Sequence, residues 1–271
     1  MPVKNIHITN QFRRSFLSLF LPLMLLVLLA AAYRFNQEVA DQKSILKADG
    51  SLNVVSGGRA IERALGGSVR DVLYLATNRE LTAERSATAT GMETLRRDFV
   101  LFSLTHPTYY RLRWLDENGK EVLRVNNVDG QISITPPDKL ENKRDRFYFK
   151  ESLALEPGKI YVSPLHLEFE NKEVVKPYLP IIRIATPIFD AHARRHGVLV
   201  ATVTANEILS RIGSGNDVSR SQNMLLNSDG YWLRSPDSAD EWGFMFERKE
   251  TLASRNPAAW KAITAIPSGQ V

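Results

Sequence analysis

An α+β architecture is predicted by this sequence of 271 residues, and three observations predict it. An uncharged apolar run stands near the N-terminus. A helical apolar spacing of three, four and seven follows it to about residue 76. From Tyr109 onward the spacing drops to two, with Asn118-Gly119 and later Asp229-Gly230 set between the runs as hairpin turns. Helices first and hairpins afterwards segregate rather than alternate, as an α+β unit requires. At 44% apolar and 24% charged residues the chain can bury a core without covalent staples. The absence of cysteine excludes a disulfide framework, a thiolate metal site and a cysteine nucleophile. A net charge of +5, with the basic residues scattered, gives no reason to expect a nucleic-acid partner.

The first element runs from Ser15 to Tyr33 without a charge. At 1.5 Å rise per residue its roughly 19 residues span about 30 Å of hydrocarbon, and it lacks the polar stripe of a buried core helix. It is longer than the apolar part of a cleaved leader, although Ala30-Ala31-Ala32 would suit a signal peptidase. Lys4, Arg13 and Arg14 precede it with no acid among them, so the N-terminus is expected in the cytoplasm and residues 34–271 outside. A single crossing of the membrane is thus expected.

A stalk helix is expected over residues 34–76, with Ile61, Leu65, Val69, Val72 and Ala76 at helical spacing. Gly57-Gly58 and Gly66-Gly67 each weaken it by about 1 kcal/mol per glycine relative to alanine, so one helix or two collinear pieces are expected. A second helix is predicted from about Thr88 to Thr105, ended by His106-Pro107. Next come a strand over Tyr110–Leu115, a turn at Asp116–Gly119 and a returning strand over Val122–Asn126. A short helix follows around Asn142–Leu153. Strands are expected near Ile160–Ser163, Leu179–Phe189 and His196–Thr204, the last two joined by a turn at Asp190–Arg195. The strand, glycine turn and strand recur at Asn223–Asn227, Ser228–Gly230 and Tyr231–Arg234, which suggests two stacked units of related shape with the second incomplete. The divisions are thus 1–14 cytoplasmic, 15–33 membrane helix, 34–76 stalk, 77–206 distal unit and 207–271 proximal unit.

Catalytic motifs are missing. No phosphate loop, dinucleotide fingerprint, nucleophile elbow or zincin motif occurs, and no cofactor is expected. His192 and His196 are four apart but flank a turn rather than share a helix face, which disfavours a metal.

Residues Tyr109 to Thr204 resemble the membrane-distal half of a double Cache (tandem PAS-like) extracytoplasmic sensor of bacterial histidine kinases, diguanylate cyclases and chemoreceptors. The resemblance is carried by YRLRWLDENGKEVLRVN (residues 110–126), LENKRDRFYFKESLALEPGKIYVSPLHLEFE (140–170), PIIRIATPIFD (180–190) and GVLVATV (197–203). LLNSDGYWLRSP and DEWGFMF cover the proximal unit in part. It implies a sensory input module that binds a small polar or carboxylate ligand, an amino acid among the candidates, and forms a homodimer in the full receptor. No GG[DE]EF signature or phosphoacceptor His motif is present; a second reading makes the chain the input half of a diguanylate cyclase or sensor histidine kinase whose catalytic domain lies beyond Val271. A secreted binding protein with a cleaved leader is the third reading.

The resemblance also implies a pocket between the central sheet and the segment after the first hairpin. Arg146-Phe147-Tyr148-Phe149 is similar to the Arg-x-aromatic-aromatic helix motif of amino-acid sensors, and Asp190 to the aspartate closing their long strand. A guanidinium can grip a carboxylate on two prongs, and an aspartate can take an ammonium. Arg146, Tyr148 and Asp190 are therefore the first candidates, with Tyr161, Ser163, His166 and Arg183 behind them. A plainer reading stands beside this: Arg146 as a surface ion-pair partner, Tyr148 as core, and Asp190 as the first residue of a turn.

Overall fold

One helix, α1 (Asn10–Ala76), carries both the apolar run and the stalk in the computed structural model, which describes residues 10–81, 88–170, 173–190, 192–213 and 223–265. Its 67 residues correspond to about 100 Å of helix. The apolar side chains from Phe16 to Leu29 are exposed all round, with no other described element packed on them. Neither glycine pair breaks the helix. Packing rather than propensity holds this stretch. Val72 and Leu75 are buried in the main core, Leu65 and Ala76 lie against it, and Gly57 lies beside Ile212.

Helix α2 (Ala89–Thr105) starts where the Thr88 hydroxyl accepts the Gly91 N–H at 3.0 Å, and it buries Leu95 and Phe99. The strands that follow are β1 (Tyr109–Leu115), β2 (Glu121–Val128), β3 (Gln131–Ile134), β4 (Tyr161–Val162), β5 (His166–Leu167), β6 (Phe169–Glu170), β7 (Glu173–Val174), β8 (Pro180–Phe189) and β9 (Arg195–Thr204). The main sheet has the order β3-β2-β1-β9-β8-β4, with β5 also paired to β8, and every pairing is antiparallel. β6 and β7 form a separate ribbon. One face of the sheet, carrying Leu112, Trp114, Leu123, Val125, Ile182, Ile184 and Leu199, packs with α1 and α2 into the largest core.

Both expected turns form, and by the same device. Asp116 Oδ1 accepts the N–H groups of Asn118 and Lys120, and Gly119 takes φ +78°. Asn227 Oδ1 accepts those of Asp229 and Tyr231, and Gly230 takes φ +83°. A short side-chain acceptor at the first position and a glycine three residues on suffice to reverse the chain.

Some elements are smaller than expected. The helix around 142–153 is only α3 (Phe147–Leu153), because the residues before it run extended against the first hairpin. There the Lys143 N–H donates to Gly119 O at 2.7 Å and Asn142 bridges Lys120. The strand near 160–163 shrinks to β4. Strand β3 has too little apolar alternation to be read in advance. After β9 come α4 (Asn206–Gly213), a ribbon of β10 (Leu225–Leu226) and β11 (Trp232–Arg234), and two short helices, α5 (Leu252–Arg255) and α6 (Pro257–Ala265). Leu233 and Trp242 share a small core with Leu167 and Leu209.

A cation-lined cavity as the candidate functional site

The second face of the main sheet is charged, and strand register explains why. Arg111 on β1 pairs with Asn126 on β2 and Thr202 on β9, and Thr202 pairs in turn with Arg183 on β8. One row further along, Arg113 pairs with Arg124. Cross-strand partners, and residues two apart on one strand, share a face. Arg111, Arg113, Arg124 and Arg183 therefore point the same way. Opposite them stand α3 and the segment from β4 to β7, so this charged face is covered rather than bathed in water. Arg111, Arg113 and Arg183 are all buried.

Between sheet and cover lies a cavity of about 320 Å³, in the size range of small-ligand sites. Four sheet arginines line it with Lys143 and Arg146, against the carboxylates of Glu141, Glu168 and Glu170. Tyr148 and Phe169 supply aromatic wall. The Arg183 guanidinium lies 5.3 Å from the Tyr148 ring centre, and that of Arg146 lies 5.2 Å from the Phe169 ring centre.

Glu168, almost wholly buried, joins two strands of the sheet. Arg111 donates to its Oε1 at 3.1 Å and Arg183 to its Oε2 at 2.6 Å. Arg111 also donates to Glu170 at 2.6 Å. Burial opposes the charge on Arg111, yet Glu168 and Glu170 together hold its pKa above the ordinary value. Arg113 and Arg183 go the other way: burial lowers both, with the Arg111 charge adding to the fall. Arg113 Nη1 and Arg183 Nε are buried without an acceptor. A site with buried cations and unused donors favours an anion.

Of the seven residues expected at a pocket, Arg146, Tyr148 and Arg183 line this cavity. Ser163 and His166 stand behind it and orient Arg183. The Arg183 N–H donates to Ser163 Oγ at 2.8 Å, and Arg183 Nη1 contacts His166 Nε2. His166 Nδ1 lies 2.8 Å from Pro164 O, so the proton sits on Nδ1 and Nε2 is the acceptor. Burial, and then the Arg183 charge, lower the His166 pKa to about 4, which keeps the ring neutral near pH 7. Tyr161 does not line the cavity; it packs beside Tyr148 and Phe149 in a second core.

Asp190 does not share the cavity with Arg146, contrary to expectation. Its carboxylate closes the turn between β8 and β9, accepting from the His192 and Arg194 N–H groups at 2.8 Å each and from the Arg194 side chain at 2.7 Å. His196 Nε2 lies 3.1 Å away. Burial works against its ionisation, but the bonds from Arg194, His196 and His192 prevail and hold its pKa well below the carboxylate range. A carboxylate so engaged has little left for a ligand ammonium.

The fold has solved relatives. The chain is similar to a domain of a sensory box/GGDEF family protein from Vibrio parahaemolyticus, with TM-score 0.72 and 21% identity over 83% of this chain and 86% of that one. It is similar to the extracellular domain of the histidine kinase vpHK1S-Z8, with TM-score 0.72 and 21% identity over 83% and 82%. A more distant likeness is the ligand-binding domain of the Pseudomonas aeruginosa PAO1 amino acid chemoreceptor PctC in complex with GABA, with TM-score 0.54 and 16% identity over 77% and 80%. No curated protein sequence matches. Residues 87–271 match the family described as bacterial histidine kinase, sensor domain, a non-catalytic input unit. With that match over more than half its length, and the α+β sheet of its solved relatives, the chain belongs to the bacterial histidine kinase sensor-domain family.

Proposed function

We propose that this chain is a membrane-anchored, extracytoplasmic sensory input module that binds a small polar ligand in the cation-lined cavity and relays the change along α1. The observation that carries the reading is the two-faced sheet. Arg111, Arg113 and Arg183 face the cavity, while the opposite face packs on the helix that continues into the apolar run. Strand β1 ties the two together. A register shift between Tyr109 and Arg111 turns Tyr109 to the helix side, where its hydroxyl donates to Asp71 Oδ2 of α1 at 2.8 Å. Movement of Arg111 on ligand binding would thus reach the stalk two residues along the same strand.

A thermal-shift screen of the full chain in detergent against amino acids, carboxylates and amines tests the reading. A ligand that binds only the folded state raises the midpoint by mass action. Arg146→Ala is expected to weaken a hit by about 1.5–3 kcal/mol, the scale of a lost charge-assisted contact, while Asp190→Ala leaves affinity unchanged. A hit that Arg146→Ala does not weaken, or no hit at all, contradicts the cavity as ligand site.

The basic residues Lys4, Arg13 and Arg14 ahead of the apolar run support an N-in, C-out crossing. An alkaline phosphatase fused after Val271 is expected to be active and a GFP in its place dark. The reverse pattern would overturn the orientation.

A further inference from the structure

Resting on the reading of the cavity as the ligand site, we infer that it takes a compact anion with two negative ends, a short dicarboxylate, rather than a zwitterionic amino acid. The lining carboxylates are already spent. Glu168 is shared by Arg111 and Arg183, Glu170 is held by Arg111, and Glu141 accepts from Lys143 at 2.8 Å and Arg124 at 3.2 Å. Glu121, beneath the cavity, is flanked by Arg113 and Arg124. An incoming ammonium would meet only lining carboxylates already held by cations, in a field dominated by arginine.

Cationic capacity, by contrast, is left over. Among the described residues, the Arg146 guanidinium meets the Phe169 ring and no carboxylate. Arg183 Nε and Arg113 Nη1 are buried donors with no acceptor. These unused groups are not in one place. Arg146 and Arg183 both lie over Phe169, at 5.2 and 5.7 Å from its centre. Arg113 stands one register row beyond Arg111, a displacement of about 7 Å along β1. Two separated clusters of donors suit two anionic groups joined by a short apolar link, which Tyr148 and Phe169 can flank.

Glu170 separates the two ligand classes. It is the most exposed carboxylate on Arg111, its side chain 50% accessible, and it meets Arg111 Nη2 at 2.6 Å. It thus acts as a tethered competitor for the position a ligand carboxylate would take. Removing its charge should free Arg111 for a dianion, whereas a zwitterion would lose one of the two half-exposed carboxylates, Glu141 and Glu170, that its ammonium could meet. The two ligand classes are therefore separated by the sign of one substitution.

The test is isothermal titration of the full chain in neutral detergent with succinate, inorganic phosphate and L-alanine, repeated on Glu170→Gln and Arg146→Gln. Neither variant removes a buried hydrogen bond, and far-UV circular dichroism checks that each is folded. Succinate is expected to bind the wild type, several-fold tighter to Glu170→Gln and about tenfold or more weaker to Arg146→Gln, the scale of one charge-assisted contact. L-alanine binding better than succinate, or succinate weakened by Glu170→Gln, would overturn the dicarboxylate assignment. Phosphate binding better than succinate would overturn the two-ended geometry. If none of the three binds, the dicarboxylate assignment fails. The cavity reading still stands if a polar compound from the wider screen loses affinity in Arg146→Gln, and falls if none does.

Discussion

Replacing Glu168 by alanine is expected to cost about 3–5 kcal/mol of stability, the penalty for leaving buried charges without their partner. The carboxylate is 1% exposed and receives Arg111 from β1 and Arg183 from β8. Without it, Arg111 keeps the more exposed Glu170, but Arg183 keeps no carboxylate partner among the described residues, and Arg113 stands on the same sheet face. Glu168→Gln retains the shape and loses the charge, so it should fall between wild type and alanine. Chemical denaturation of the full chain in detergent reads the difference. A loss below about 1 kcal/mol for the alanine variant would mean that Glu168 does not join the two strands as described.

Gly197→Ala is expected to be of similar severity, on the order of 4 kcal/mol, for a backbone reason. Strand β9 holds one residue more than β8 between the Pro187–Val198 and Phe189–Arg195 pairs, and Gly197 lies in that bulge with φ +113°. A Cβ there would stand 1.9 Å from Leu115 O, a backbone atom that cannot swing aside. Relief requires β1 and β9 to part at Leu115, two residues from Arg113. The expected result is a large drop in thermal midpoint together with weakened ligand binding. A variant with wild-type midpoint would contradict the bulge.

Much of this architecture is legible in residue order, and the exceptions have physical causes. The apolar run, the stalk and both glycine turns follow from local rules, since an uncharged run or an Asp-x-x-Gly turn depends on few residues outside itself. The glycine pairs in α1 leave one helix or two collinear pieces open in the sequence, and tertiary packing on Val72 and Leu75 outweighs local propensity in favour of one. At the site, Arg146, Tyr148 and Arg183 can be found from a motif resemblance. The alternation of Arg111 and Arg113 with Leu112 and Trp114 is plain in the sequence. Its meaning is not, because an arginine face on an edge or open sheet is simply solvated. Only the cover provided by residues 143–170 turns it into a cavity, and that cover is built from short irregular strands with little periodicity. Asp190 illustrates the opposite error: an aspartate at a strand end reads equally as an ammonium acceptor or as a turn former. The Arg194 and His192 N–H groups that decide between these belong to the turn itself.

A crystal structure of the protein with a bound hit from the thermal-shift screen decides whether a small ligand sits on the charged face of the main sheet. Ligand density is expected between β1 and the Arg146–Tyr148 segment, within hydrogen-bond reach of Arg183 or Arg146, with Asp190 still closing its turn. Density instead between α1 and the sheet near Tyr109 and Asp71, or beside Trp242, would rule that placement out.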